Sequence, residues 1–173
     1  MKTEAEDKMW YALYTKSRAE KKVLKQFSEM GIEAYLPLKR ELRQWSDRKK
    51  WVETPVISSY IFINIPRSDY KRVFEVNGVV NYVSHKGEAV VIPDREIEAM
   101  RKTVENKLSF SVHPGRIKKG QTVTVTSGPL KGVSGTVTRL KGNKKLYLNI
   151  SHIGYSLVVD LENESISEEA EQL

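Results

Sequence analysis

Trp10–Gly31, WYALYTKSRAEKKVLKQFSEMG, is the stretch whose reading decides the fold. It opens with Trp10-Tyr11-Ala12-Leu13-Tyr14, an aromatic and apolar run with strand propensity. The period then changes. Ser17 with Glu20 three residues on reads as a capping box, which sets a helix start at Arg18. Ala19, Val23, Phe27 and Met30 follow at helical spacing with Leu24 beside them. Gly31 is a ready terminator, because it accepts positive φ without a Cβ clash. A strand therefore feeds directly into an amphipathic helix, with Lys16 and Arg18 at the lip where the sheet ends.

Downstream, residues 32–37 read as a second strand whose pairing Pro37 limits. A hairpin follows, with its turn at Ser46-Asp47-Arg48-Lys49 and with Trp45 and Trp51 flanking it. From Lys39 to Lys50 there are six basic residues (Lys39, Arg40, Arg43, Arg48, Lys49, Lys50) against two acidic ones, Glu41 and Asp47. Such a hairpin suits the edge of a nucleic acid, with cations for phosphate and a flat ring for a base. It equally suits an edge strand kept from aggregating by its charge. Residues 57–65, ISSYIFINI, are the strongest strand signal in the chain. Ile57, Ser59, Ile61, Ile63 and Ile65 point one way and look like core; Tyr60, Phe62 and Asn64 point the other. That aromatic face is covered either by a partner or by a second helix layer.

Ser68 is placed to cap a short helix over residues 69–77 that ends at Gly78. Val79–Ser84 and Ala89–Ile92 read as strands joined through His85-Lys86-Gly87, and Pro93-Asp94 opens a helix carrying Ile97, Met100, Arg101 and Val104. This alternation predicts an antiparallel ferredoxin-like α+β sandwich. Residues 105–117 lack a sustained period and read as a linker. Beyond them the character changes: Arg116 to Lys145 holds eight basic residues and no acidic one. Val123 and Val125 alternate with threonines, followed by Val133/Gly135/Val137, Leu146/Leu148/Ile150 and Leu157/Val159, with turns at Ser127-Gly128-Pro129 and Lys141-Gly142-Asn143. Short strands at this spacing predict a small barrel. The tail from Glu162 carries five glutamates and no basic residue, which predicts disorder.

The 173 residues carry a formal charge of +7 and a pI near 9.5, with 29% charged and 39% hydrophobic residues, as in a soluble globular protein. The chain has no cysteine, which excludes disulfides and thiolate metal sites. A polar start, MKTEAEDK, and the lack of any long apolar run predict a cytoplasmic protein without a membrane segment. Gly115–Thr122 has phosphate-loop spacing, but Gln121 stands where the phosphate-neutralising lysine belongs. His85, His113 and His152 lack ligand spacing, and there is no nucleophile elbow. No enzymatic constellation and no cofactor site is expected.

Val123–Val137, VTVTSGPLKGVSGTV, resembles a KOW motif, with Gly128, Gly132 and Gly135 before a strand. Trp10-Tyr11, Tyr35-Leu36-Pro37-Leu38, Pro55 with Ser59-Tyr60-Ile61-Phe62, Asn77-Gly78-Val79 and Val91-Ile92-Pro93 resemble the NusG N-terminal (NGN) domain in order and spacing. The resemblance covers about residues 9–161. The stretch Leu42–Arg48 and the close Ile153-Gly154-Tyr155 look most like the specialised UpxY-type, RfaH-like paralogues. It implies an NGN domain over 8–106, a linker over 107–117, an SH3-like KOW barrel over 118–162 and a disordered acidic tail over 163–173.

The resemblance also implies a transcription elongation and antitermination factor, acting as a monomer on particular long operons, often for surface polysaccharides. Its polymerase-binding residues would be Tyr14, Ile57, Tyr60, Phe62 and Tyr82 on the clamp helices of the largest subunit, and Lys71 and Arg72 across the cleft. Lys16, Arg18, Arg43, Trp45, Arg48, Lys49 and Lys50 would meet the non-template DNA strand. Leu130, Ile153 and Tyr155 would carry the KOW partner site, for ribosomal protein S10 or the termination factor Rho. The other readings are a general housekeeping NusG factor and a KOW-containing ribosome- or RNA-binding protein.

Overall fold

The aromatic run of the opening stretch forms β1 (Met9–Thr15). The computed structural model describes residues 7–116, 120–140, 143–150, 152–161 and 166–168. It divides into two compact units, Met1–Ile92 and Pro93–Leu173. In the first unit β1 is followed by α1 (Glu20–Glu29), β2 (Glu33–Tyr35) and a separate hairpin of β3 (Leu38–Gln44) and β4 (Lys49–Pro55). Then come β5 (Tyr60–Ile65), β6 (Val79–Tyr82), the small hairpin β7 (Ser84–His85) and β8 (Glu88–Ala89), and β9 (Val91–Ile92). The main sheet is antiparallel in the order β2-β5-β1-β6, with β9 also on β1. Ile61, Ile63 and Ile65 of β5 join Tyr11 and Leu13 of β1 and Val23 and Phe27 of α1 in one buried cluster, as the alternation predicts.

Three local expectations are corrected. Arg18 takes a left-handed φ of 61°, so the helix begins two residues later than the capping box implies. Ala19 is the N-cap and makes no side-chain cap bond. Glu20 instead accepts the Ser59 N–H at 2.7 Å. Secondly, β5 starts at Tyr60 and not at Ile57, because Ser59 turns left-handed at φ 65° and breaks the strand. Thirdly, residues 69–77 form no single capped helix but two 3-10 turns, Arg67–Asp69 and Arg72–Glu75, without side-chain caps. At the end of α1 Gly31 does take positive φ, 71°.

The second unit holds α2 (Asp94–Glu105) and a six-stranded antiparallel sheet. Its strands are β10 (Phe110–Pro114), β11 (Gln121–Val125), β12 (Ser134–Leu140), β13 (Asn143–Ile150), β14 (Tyr155–Asp160) and β15 (Ile166–Glu168), in the order β10-β14-β13-β12-β11-β15. The alternating apolar residues Val123, Val125, Leu146, Leu148, Leu157 and Val159 are buried. Gly135 is required by close approach: a Cβ there would lie 2.8 Å from both Leu146 Cδ1 and the Tyr147 carbonyl oxygen. The overall class is α+β, in keeping with the ferredoxin-like first domain and small β-rich second domain that the sequence implies.

Two expectations fail in this unit. Residues 107–117 are not a free linker, because Phe110–Pro114 pairs with β14 from Phe110↔Val159 to Pro114↔Tyr155. The acidic tail is not wholly unstructured, because Ile166–Glu168 pairs with β11. The rest of that tail, the Lys141-Gly142 part of the expected turn and the centre of the Gly115–Thr122 stretch lie outside the described residues. The two units part at Ile92, before α2, where the sequence places a domain end at residue 106.

Candidate functional site

Three surfaces of the first unit carry the residues that the sequence singles out. The first is the rim of the main sheet. Tyr14 and Tyr60 face each other across β1 and β5, with ring centroids 5.0 Å apart. Tyr14 is 38% exposed and Tyr60 is half-buried. The other expected members of this patch are not on the surface. Ile57 is buried, and Phe62 is wholly buried with Tyr35 stacked on it at 6.4 Å. Of the two coverings expected for the Phe62 face, a partner or a layer of the chain itself, the chain closes over Phe62, which is core. Tyr82 is also core. Its ring stacks on Tyr70 at 4.0 Å, and its hydroxyl donates to the Tyr70 carbonyl at 2.7 Å. Burial pushes the Tyr82 phenol well above its ordinary value, and that of Tyr11, edge-on to it at 5.6 Å, is raised for the same reason. Beside this cluster Lys71 is exposed, while Arg72 pairs with Asp69 at 2.9 Å.

The second surface is the lip after β1. Lys16 and Arg18 are both exposed there. The backbone beneath them is held firmly: Lys16 N–H donates to the Gly78 carbonyl at 2.8 Å, and Thr15 N–H to the Ser59 carbonyl at 2.9 Å. Glu20, only 5% exposed, closes the same corner through its bond to Ser59.

The third surface is the β3–β4 hairpin. Pairing runs from Leu38↔Pro55 to Gln44↔Lys49, with Trp45 N–H donating to the Arg48 carbonyl at 2.7 Å. The turn therefore sits one residue earlier than expected. Side chains alternate between two faces. One face carries Lys39, Glu41, Arg43, Lys50, Val52 and Thr54. There Lys39 Nζ reaches Glu41 at 2.6 Å and Arg43 reaches it at 3.7 Å. The hydrogen bond from Lys39, with Thr54 and Arg43 assisting, holds the Glu41 carboxyl below its ordinary range. The opposite face carries Arg40, Leu42 and Trp51, with the Arg40 guanidinium 5.1 Å from the Trp51 ring centroid. Trp45 at the tip is 55% exposed and Trp51 is 54% exposed. Arg48, Lys49 and Lys50 are exposed around them.

The hairpin thus brings the expected cations and Trp45 together, and adds Arg40, Leu42 and Trp51. Alternation about a correctly placed turn was the signal that could have found them. In the second unit the expected partner residues fare differently. Leu130 is wholly buried and Ile153 nearly so, which makes both core residues; Tyr155 is half-exposed on β14. Among the described residues no three His, Cys, Asp or Glu side chains group as metal donors. No helix among them is long and apolar enough to cross a membrane.

Comparison with known proteins gives a consistent result. A family model described as "Transcription termination factor nusG" matches residues 8–101. Transcription termination/antitermination proteins NusG of Rickettsia typhi and Rickettsia prowazekii are each 26% identical over 168 residues, spanning 89% of this chain and 86% of theirs. A solved structure described as "Domain interaction in Thermotoga maritima NusG" superposes with a TM-score of 0.50 at 22% identity, over 88% of this chain and 92% of that one.

Proposed function

Because the chain belongs to the NusG family, we propose that it is an elongation and antitermination factor that binds RNA polymerase across its cleft and suppresses pausing. Membership brings action in transcription termination and antitermination on RNA polymerase, and no enzymatic turnover. The functional first domain runs over 8–106, since the family match extends to residue 101, through most of α2. The Tyr14–Tyr60 rim meets the clamp helices of the largest subunit, and Lys71 reaches the opposite wall. Ile57, Phe62 and Tyr82 support that rim from within. Lys16, Arg18 and the hairpin follow the displaced non-template strand. Bridging the cleft favours its closed state by the factor's differential affinity for closed over open polymerase.

The observation that carries this reading is the hairpin, where six cations and two exposed tryptophans stand on a ribbon outside the core. The family resemblance adds service on particular long operons of the surface-polysaccharide type, a monomeric state, a cytoplasmic site of action, and a second-domain partner, ribosomal protein S10 or Rho, reached through Tyr155. A second reading, a general NusG factor, is favoured by the Rickettsia relatives, which match over most of both chains.

In-vitro transcription with the cognate polymerase tests both. Pause dwell times should shorten only on templates bearing a recruiting element; shortening on every template supports the general factor, and no effect removes both readings. Tyr14→Ala with Tyr60→Ala should abolish polymerase binding at an unchanged unfolding midpoint. Wild-type affinity in that variant would place the polymerase contact elsewhere.

A further inference from the structure

From the two-faced register of the hairpin we infer that its Arg40–Leu42–Trp51 face is a stacking platform for an unpaired nucleotide base, with Trp51 as the stacking residue. This rests on the reading of the hairpin as a nucleic-acid interface, and names the form of nucleic acid and the group that takes it.

Glu41 divides the two faces chemically. On its own side it engages Lys39 at 2.6 Å and Arg43 at 3.7 Å, so both of those cations already have an anionic partner. On the other side Leu42 lies directly across from Trp51, and both are about half exposed, at 49% and 54%. Arg40 is 5.1 Å from the Trp51 ring and lends it a cation. A cleft along the hairpin is lined by Lys21 of α1 together with Arg40, Trp51 and Glu53 of this face and by Lys50 and Val52 of the other. Three cations against one carboxylate around an indole fit a phosphodiester beside an aromatic base. The centre of this face, Leu42 and Trp51, has one hydrogen-bond donor and no acceptor. It cannot read the donor and acceptor pattern of paired base edges in a groove. A base already out of its pair offers the indole a flat apolar ring, which duplex DNA keeps within its stack.

The test uses the full-length chain and an oligo-dT of about twelve nucleotides, within the usual single-strand site size. Trp51→Ala should weaken binding about tenfold, the scale of one stacked base, and Trp51→Phe should recover much of that loss. A Trp45→Phe protein retains Trp51 and the buried Trp10; oligo-dT should quench its fluorescence, and Trp51→Phe should abolish that quenching. The quenching arm keeps the test decisive even if Trp51→Ala disturbs the hairpin. A duplex of equal length should bind more weakly than oligo-dT and leave Trp51 unquenched. Equal affinity of wild type and Trp51→Ala for oligo-dT, or preference for the duplex, overturns the inference. Pause suppression in a protein whose Trp51 is never quenched would sink the platform and leave the proposed function standing. Trp51-dependent binding without any effect on pausing would do the reverse.

Discussion

Glu20 is 5% exposed, and its carboxylate accepts the N–H of Ser59, a residue held at φ 65°. A buried donor deprived of its partner costs about 1–3 kcal/mol. Glu20→Ala should therefore lower the unfolding free energy by that amount, read as a lower urea midpoint at an unchanged slope; an unaltered midpoint would mean that the Ser59 turn holds without it. Tyr82 makes a prediction in pH. Its ordinary value is 10.0, and burial raises it in the folded state. Above pH 10 the unfolded chain loses this proton before the folded chain does, so stability present below pH 10 falls as pH rises through the folded value. Tyr82→Phe should reduce that alkaline decline, with Tyr11 leaving a remainder, and at neutral pH should cost about 0.5–1.5 kcal/mol for the lost bond to Tyr70. Unfolding curves from pH 7 to 11 check the sign; an alkaline decline as steep as wild type's removes Tyr82 from the account. These residue roles were only partly legible. The Ser17-x-x-Glu20 spacing is a sound capping signal, but Glu20 found a partner 39 residues away that no local pattern announces.

At the scale of elements the hairpin is the test case. Arg43 is engaged by Glu41, whereas Arg48 and Lys49 are exposed at the turn. Reversing the charge of Arg48 and Lys49 should lower the slope of log affinity against log salt for single-stranded DNA by about 1.4, at roughly 0.7 for each lost phosphate contact. Reversing Arg43 alone should change it by less than the roughly 0.7 of one free contact; a full change of about 0.7 would mean that the Glu41 pairing does not persist in solution. In the second unit β12 is open to disruption at Gly135. Gly135→Ala places a Cβ 2.8 Å from a backbone oxygen and from Leu146, a clash that costs about 1–3 kcal/mol. A melting temperature equal to wild type's would show that β12 and β13 can separate slightly at no cost. The strands themselves were legible because alternation and turn residues are local. The linker and the tail were misread because β10 and β15 are short and carry weak patterns of their own. Each exists through the ladder offered by a neighbour, β14 for one and β11 for the other.

For the whole molecule, α1 and α2 contribute ten and twelve residues, and strands dominate the remainder of the described chain. Val and Thr throughout residues 122–138, with Gly128, Pro129, Gly132 and Gly135 among them, oppose a helical alternative for the second unit by on the order of 6 kcal/mol. Far-ultraviolet circular dichroism of the full chain should therefore show helix no greater than α1 and α2 supply; a clear excess would mean that part of the second unit is helical in solution. The sequence by itself determined the α+β class, the strand-to-helix opening of β1 and α1, the isoleucine core face of β5, the β-rich second half and the family, because hydrophobic period, turn residues and motif spacing are written along the chain. Tertiary structure alone decided which aromatics are surface and which are core. Tyr14, Tyr60, Phe62 and Tyr82 read alike as expected surface contacts. Yet Tyr14 and Tyr60 reach the rim, while Phe62 lies beside Tyr35 and Tyr82 under the Tyr70 ring. Alternation assigns a side chain to a face of a sheet; what covers that face comes from segments distant in sequence, and only their packing settles it.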